Sequence, residues 1–231
     1  MDSQKRVLPS WMMKKVGSAE VRNDLTPEDR KPLLTFSGRI DYCSVMATCG
    51  EACGMILNNI GDAGLVLGFD MEWPVSYQSG SGRAALIQLC PGDDVCHLFH
   101  VSCMKNLPKA FVILLEHPLV TFVGANIKND LWKLSRDFGV CVEPLLNKTV
   151  DLGEYANQVL NCRQTWSLDG LVLNLLKRTL LKSDRVRKSD WSAVTLSEAQ
   201  KSYAATDAYA SLLVYRKLKE LARSSEDKPC S

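Results

Sequence analysis

Asp70 and Glu72 stand two residues apart in Leu65-Val66-Leu67-Gly68-Phe69-Asp70-Met71-Glu72, an apolar run that turns acidic at its end. Such a run is expected as a buried strand. Alternate side chains on a strand share a face, so both carboxylates point the same way, roughly 7 Å apart at the backbone. Phe69 and Met71 then face the other layer. Two acids on one face of a buried strand are costly without a positive partner. The pair is therefore either a cation site or a strand end surfacing into solvent. Asp130 follows the turn glycine Gly124 and lies in the first turns of the next expected helix. There it either favours the helix dipole or joins the same centre. Tyr203 and Asp207, in Tyr203-Ala204-Ala205-Thr206-Asp207-Ala208-Tyr209, are four apart and share one helix face. The alanines leave that face thin enough for a strand or ligand to approach. The alternative is a core tyrosine beside a solvated aspartate. Four carboxylates with no clustered cysteine or histidine suit a hard cation, Mg²⁺ or Mn²⁺.

The elements that must position these residues alternate along the chain. Trp73-Pro74 stops the first strand. Ala84 to Cys90 and Val95 to Phe99 form a hairpin across the turn Pro91-Gly92-Asp93-Asp94. Pro108 suits the start of a helix that ends before Pro118. Leu119 to Gly124 is a second buried strand, and Ile127 to Phe138 a helix ended by Gly139. Thr149-Val150-Asp151 is a brief strand, with helices over Leu152 to Val159 and Leu168 to Leu176. Thr195-x-x-Glu198 has the capping-box pattern and opens a last helix to about Ala222. The fold class is α/β, a mixed sheet flanked by helices. Residues 1–40, charged and broken by Pro9, Pro27 and Pro32, are expected as a flexible leader. Residues 41–222 form the domain, and residues 223–231 a frayed tail.

The chain has 231 residues, 46% of them hydrophobic, enough for one full core. Net charge is only +2, so any nucleic-acid contact must come from local patches. Lys177, Arg178, Lys182, Arg185, Arg187 and Lys188 surround the single acid Asp184 and form the best such patch, the alternative being a solvated charge run. Nine scattered cysteines argue for reduced thiols inside a cell. No C-x-x-C pair is present, so Cys43, Cys49 and Cys53, and Cys90, Cys96 and Cys103, are read as buried or idle thiols rather than zinc ligands. No stretch is apolar enough to span a membrane, and Met1 to Lys15 is not a secretory signal. Gly80-Ser81-Gly82 lacks the third glycine and helix of a dinucleotide site, and there is no G-x-x-x-x-G-K-S/T loop.

Taken in order, Gly68-Phe69-Asp70-Met71-Glu72-Trp73-Pro74, Asn126-x-x-x-Asp130-x-Trp132-Lys133-Leu134 and Tyr203-Ala204-Ala205-Thr206-Asp207-Ala208-Tyr209 resemble the three motifs of the DEDD exonucleases, tyrosine branch. Within that branch the Werner-type exonuclease domains are most similar. The likeness runs over roughly Leu65 to Leu221, including Ala85 to Cys90, Leu98 to Ser102, Thr165 to Leu168 and Leu181 to Trp191. It implies a ribonuclease-H-like fold and metal-dependent 3'-5' cleavage of DNA ends in repair or replication. It also implies two Mg²⁺ or Mn²⁺ ions held by Asp70, Glu72, Asp130 and Asp207, with Tyr203 orienting the attacking water. Asp70 would bridge both ions, and Asp130 would act through water. The resemblance further implies a nuclear location and a RecQ-type helicase, fused or separate. RNA 3'-end trimming of the RNase D kind shares the motifs, and a non-catalytic nucleic-acid-binding module is the rival of another class. Trp132 is expected either in the core or against DNA, where base stacking is worth about 1–3 kcal/mol. Arg83, Arg185, Arg187 and Lys188 are the expected phosphate contacts.

Overall fold

The computed structural model describes residues 31–76, 80–181 and 183–226. From Pro32 onward the described residues form one compact unit. Its centre is β2 (Leu65–Glu72), whose inward residues Leu67, Phe69 and Met71 are buried. Around it stand β1 (Arg39–Cys43), β5 (Leu86–Cys90), β6 (Val95–Phe99), β7 (Val120–Gly124) and β8 (Thr149–Asp151), in the order β1-β6-β5-β2-β7-β8. β6, β5 and β2 are antiparallel neighbours, whereas β7 and β8 run parallel to β2. This is the mixed sheet of the expected ribonuclease-H-like class, with β1 added parallel on the outer edge of β6. A small separate hairpin, β3 (Val75–Ser76) with β4 (Gly80–Ser81), projects beyond β2.

Helices cover both faces. On one side α1 (Met46–Asn58), α2 (Lys109–Glu116), α3 (Ile127–Phe138) and α4 (Glu143–Leu146) pack on Phe69, Met71, Ile87 and Phe122. On the other, α5 (Leu152–Val159), α6 (Leu168–Leu171) and the long α8 (Glu198–Glu226) pack on Leu86, Leu98 and Val123. A π turn, Val172–Leu176, follows α6, and the short α7 (Asp184–Arg187) precedes α8. Local chemistry sets the helix ends. Asp151 caps α5 by accepting from Gly153 and Glu154 N–H, and Ser167 caps α6 through Gly170 N–H. Gly139 ends α3 in the left-handed conformation.

Three expectations are corrected. The leader does not reach residue 40: Leu34 and Phe36 are buried, and Arg39–Cys43 is a strand paired with β6. These apolar residues gain their partners only from distant parts of the chain. Residues 1–30 lie outside the described residues. At the other end the helix runs to Glu226, so residues 223–226 belong to α8, and the rest of the expected tail, residues 227–231, lies outside the description. The capping box opening α8 is Ser197-x-x-Gln200, not Thr195-x-x-Glu198. Ser197 Oγ accepts from Gln200 N–H, and Gln200 Oε1 accepts from Ser197 N–H. Gln200 also donates to Ser189 Oγ and Asp190 O, bonds that Glu198 does not supply.

Candidate active site

Two glycines bring the acids together. A Cβ on Gly68 would lie 2.0 Å from the Ala208 carbonyl oxygen, so α8 rests directly on the β2 backbone. Asp70 is two residues further on β2, and Asp207 precedes Ala208 on α8. One ligand oxygen from each of Asp70, Glu72 and Asp207 lies within 4.8 Å of the others. Gly124 performs the same service for the third acid: a Cβ there would lie 2.8 Å from Phe69 O. β7 therefore approaches Phe69 closely, and Asn126 turns the chain with φ of 56° into α3. Asp130, in the first turn of α3, is buried and lines the same cleft as Asp70, Glu72, Tyr203 and Asp207. Tyr203, one turn before Asp207, donates its hydroxyl to the Asp207 carboxylate.

The acids are held in an unfavourable environment. Burial pushes Asp70 up to about 6. Burial, and then the charge of Asp70, push Asp130 and Asp207 each up to about 8. Glu72 is raised well above the carboxylate range by burial and by Asp70, Asp207 and Asp130, with Arg187 opposing. Tyr203 is raised by burial and by the charges of Asp207 and Glu72. Four carboxylates crowding one cleft against a single exposed arginine leave negative charge uncompensated, and the donor set is all oxygen. Both facts fit a hard divalent cation on Asp70, Glu72 and Asp207, with Asp130 beside them.

The cleft, about 410 Å³, is also lined by Trp73, Val75, Asn126, Asn129 and Arg187. A second groove of about 350 Å³ shares Arg187, Tyr203 and Asp207 and continues past Ser167 and Leu181. A third, about 320 Å³, shares Asn126 and Asn129 and continues toward Thr165 and Trp166. The acid centre thus sits in the middle of an extended channel. A larger groove of about 530 Å³, beside Tyr215 and Arg223, contains none of the five motif residues.

The structure sorts the remaining expected residues. Arg187 lines the cleft, and its segment is pinned by the fully buried Trp191, whose Nε1 donates to Arg187 O at 3.1 Å. Arg185 and Lys188 are exposed on the same turn, and Lys188 and Arg187 both pair with Asp184. Lys182 lies outside the described residues. Trp132 is 47% exposed, which removes the core-packing alternative. It stands one turn beyond Asn129 on α3 but is not among the residues lining the cleft. Arg83 is a correction: it does not line the cleft. Its guanidinium donates to Asp137 O and Lys105 O and covers the Phe138 ring at 4.2 Å, so it fastens the end of α3. Nothing local in the sequence distinguishes such a clamp from a phosphate contact. Asn126, which opens the second motif, and Asn129, beside Asp130, also line the cleft. Of the six thiols in the two loose groups, Cys43, Cys49, Cys53, Cys90 and Cys96 are buried and Cys103 is exposed.

Comparison with known proteins agrees with this geometry. The family model described as 3'-5' exonuclease matches residues 45–223. The bifunctional 3'-5' exonuclease/ATP-dependent helicase WRN of Mus musculus is 44% identical over 200 residues, covering 86% of this chain and 14% of that protein. A 3'-5' exonuclease of Drosophila melanogaster is 38% identical over 201 residues, covering 84% of this chain and 57% of that protein. The chain therefore spans little more than half, or far less, of these relatives. Among solved structures, Escherichia coli RNase D superposes with a TM-score of 0.65 at 22% identity, over 83% of this chain and 47% of that one. The catalytic core of RRP6 from Trypanosoma brucei gives 0.63 at 22%, over 85% and 51%. These two likenesses concern the fold. With a family match over most of its length, the chain belongs to the 3'-5' exonuclease family.

Proposed function

We propose that the protein removes nucleoside 5'-monophosphates from DNA 3' ends, in a reaction dependent on two divalent cations, Mg²⁺ or Mn²⁺. The observation that carries this reading is the convergence of Asp70, Glu72 and Asp207 within 4.8 Å, with Asp130 in the same cleft. Asp70, Glu72 and Asp207 would hold the cations, and Asp130 would complete the set. The cations, when bound, neutralise charge building on the phosphate and make water a better nucleophile. The chain supplies the positioning. The Tyr203 hydroxyl, directed by Asp207, orients the attacking water, and its raised pKa makes it a hydrogen-bonding group rather than a base. Arg187 faces the phosphate from the rim, Arg185 and Lys188 extend the positive surface, and Trp132 offers a face for a terminal base.

The DNA preference is supported by the extensive similarity to the murine exonuclease/helicase. The same similarity supports a role in DNA repair or replication, a nuclear location, and work beside a RecQ-type helicase, fused or separate. RNA 3'-end trimming is the second reading, since RNase D shares the fold. The test is a gel assay on 5'-labelled DNA with a recessed 3' end, beside the matching RNA, with Mg²⁺, Mn²⁺ or chelator. A metal-dependent ladder on DNA that disappears in Asp70→Ala is the expected result. Shortening of RNA alone would transfer the proposal to RNA. Binding without cleavage under every metal would reduce the domain to a non-catalytic binding module.

A further inference from the structure

Gln88 is the polar anomaly of the core. It sits mid-strand in β5 within Leu86-Ile87-Gln88-Leu89-Cys90 and is 0% exposed. Neither its amide nitrogen nor its amide oxygen has a hydrogen-bond partner. Orphan groups of this kind destabilise a core, and a leucine or methionine would fill the same space without that cost. The neighbours give the reason. In the antiparallel ladder Gln88 is directly opposite Asp70, and on its other side it faces Leu98 of β6. Opposed residues project from the same face with Cβ atoms about 4.5–5.5 Å apart. That face is covered by Ala204, Ala205 and Ala208 of α8, packed with apolar residues such as Leu86, Cys90 and Leu98. The polar side chain across the ladder is the Asp70 carboxylate, which already accepts from the Met71 N–H.

We infer that Gln88 is a positioning residue for Asp70: its amide N–H donates to the Asp70 carboxylate when that carboxylate holds a cation. The donor fixes which oxygen of Asp70 turns toward the cleft, as hydrogen-bonded neighbours orient metal-binding carboxylates generally. This rests on the divalent-cation reading proposed above.

The test uses the whole chain with Mn²⁺ alone, free Mn²⁺ being read by electron paramagnetic resonance. Gln88→Met keeps the volume and removes the amide. Its metal-free melting temperature is expected to equal or exceed that of the wild type, and its Mn²⁺ affinity to fall about 10-fold or more. Wild-type affinity in the variant would overturn the inference while leaving the cation reading intact. A wild-type protein that binds no Mn²⁺ would overturn both. A second measurement needs no variant to fold: with side-chain ¹⁵N-labelled glutamine, the Gln88 amide resonance should move downfield and resist exchange when Mg²⁺ is added. A resonance that does not move sinks the inference.

Discussion

Gly68→Ala tests whether backbone contact between β2 and α8 sets the active site. The new Cβ would lie 2.0 Å from Ala208 O and 3.1 Å from the Leu212 Cβ. Both are parts of α8 that cannot swing aside as a flexible side chain does. Restoring an ordinary contact of 3.4 Å requires the helix to withdraw by about 1.4 Å. Asp207 is the residue before Ala208 and must move with it, away from Asp70. Overpacking of this kind costs about 1–3 kcal/mol of stability, a melting-temperature loss of roughly 2–4 °C per kcal/mol in a chain of this size. A displacement of about 1 Å among reacting groups costs on the order of 100-fold in rate, or about 2.7 kcal/mol of barrier. The assay pairs thermal melts with initial cleavage rates on a 5'-labelled substrate at a temperature where the variant is folded. Gly50→Ala is the control: it lies on α1 with nothing within 4 Å of the added Cβ, so it should gain about 0.5–1 kcal/mol and keep full activity. A folded Gly68→Ala protein cleaving within a few-fold of wild type would refute the reasoning, because the acids would then tolerate a shifted helix.

Asp207→Asn should lower cleavage by at least about 100-fold. It should leave the metal-free protein as stable as wild type or more so, since Asp207 is destabilised by burial and by Asp70; a lower melting temperature would contradict the repulsion argument. The same crowding gives a pH dependence. Asp130 and Asp207 are raised to about 8 and Asp70 to about 6 in the fold, above the usual carboxylate value near 4 when unfolded. The folded state therefore binds more protons, and these groups' contribution is fully present below pH about 4 and is lost as pH rises through 6 to 8. In chelator, the urea midpoint should be higher at pH 5.5 than at pH 8.5, and added Mg²⁺ should narrow that gap; a midpoint rising across this interval speaks against it. Trp132→Ala should change stability by less than about 1 kcal/mol, given its exposure, while lowering kcat/KM on single-stranded ends roughly 5- to 150-fold, the range set by 1–3 kcal/mol of stacking. Unchanged kcat/KM would remove Trp132 from the substrate path.

What could be read in the sequence is what depends on short-range periodicity. The shared face of Asp70 and Glu72 follows from the two-residue repeat of a strand, and Phe69 and Met71 are indeed buried on the opposite side. The stop at Gly139 and the hairpin around Pro91-Gly92 were likewise local matters. α1 escaped notice because Gly50 and Gly54 weaken its helical character and its buried stripe, Cys49, Ala52, Cys53 and Ile56, looked like a cysteine cluster. β1 escaped because its pairing with β6 joins residues more than fifty apart. The rival boxes Thr195-Glu198 and Ser197-Gln200 overlap, and only the tertiary bonds from Gln200 to the Ser189-Asp190 turn decide between them. Arg83 failed for the same reason: its carbonyl partners lie 22 and 54 positions away.

The contrast between the acids and their surroundings bears on how the site works. Asp70, Asp130 and Asp207 are placed by contacts of backbone on backbone, through Gly68 with Ala208 and Gly124 with Phe69. Such contacts do not adjust by rotamer changes, so the carboxylates stay crowded despite mutual repulsion, and the cation site is prepaid by the surrounding core. The channel walls are built differently. Arg187 hangs from a four-residue helix held by Trp191, and Asn126 and Asn129 line a groove open to solvent. Under the proposed reading, substitutions in these walls are expected to alter substrate choice without moving an acid. The acids are thus fixed by packed backbone, whereas Arg187, Asn126 and Asn129 line surfaces open to solvent.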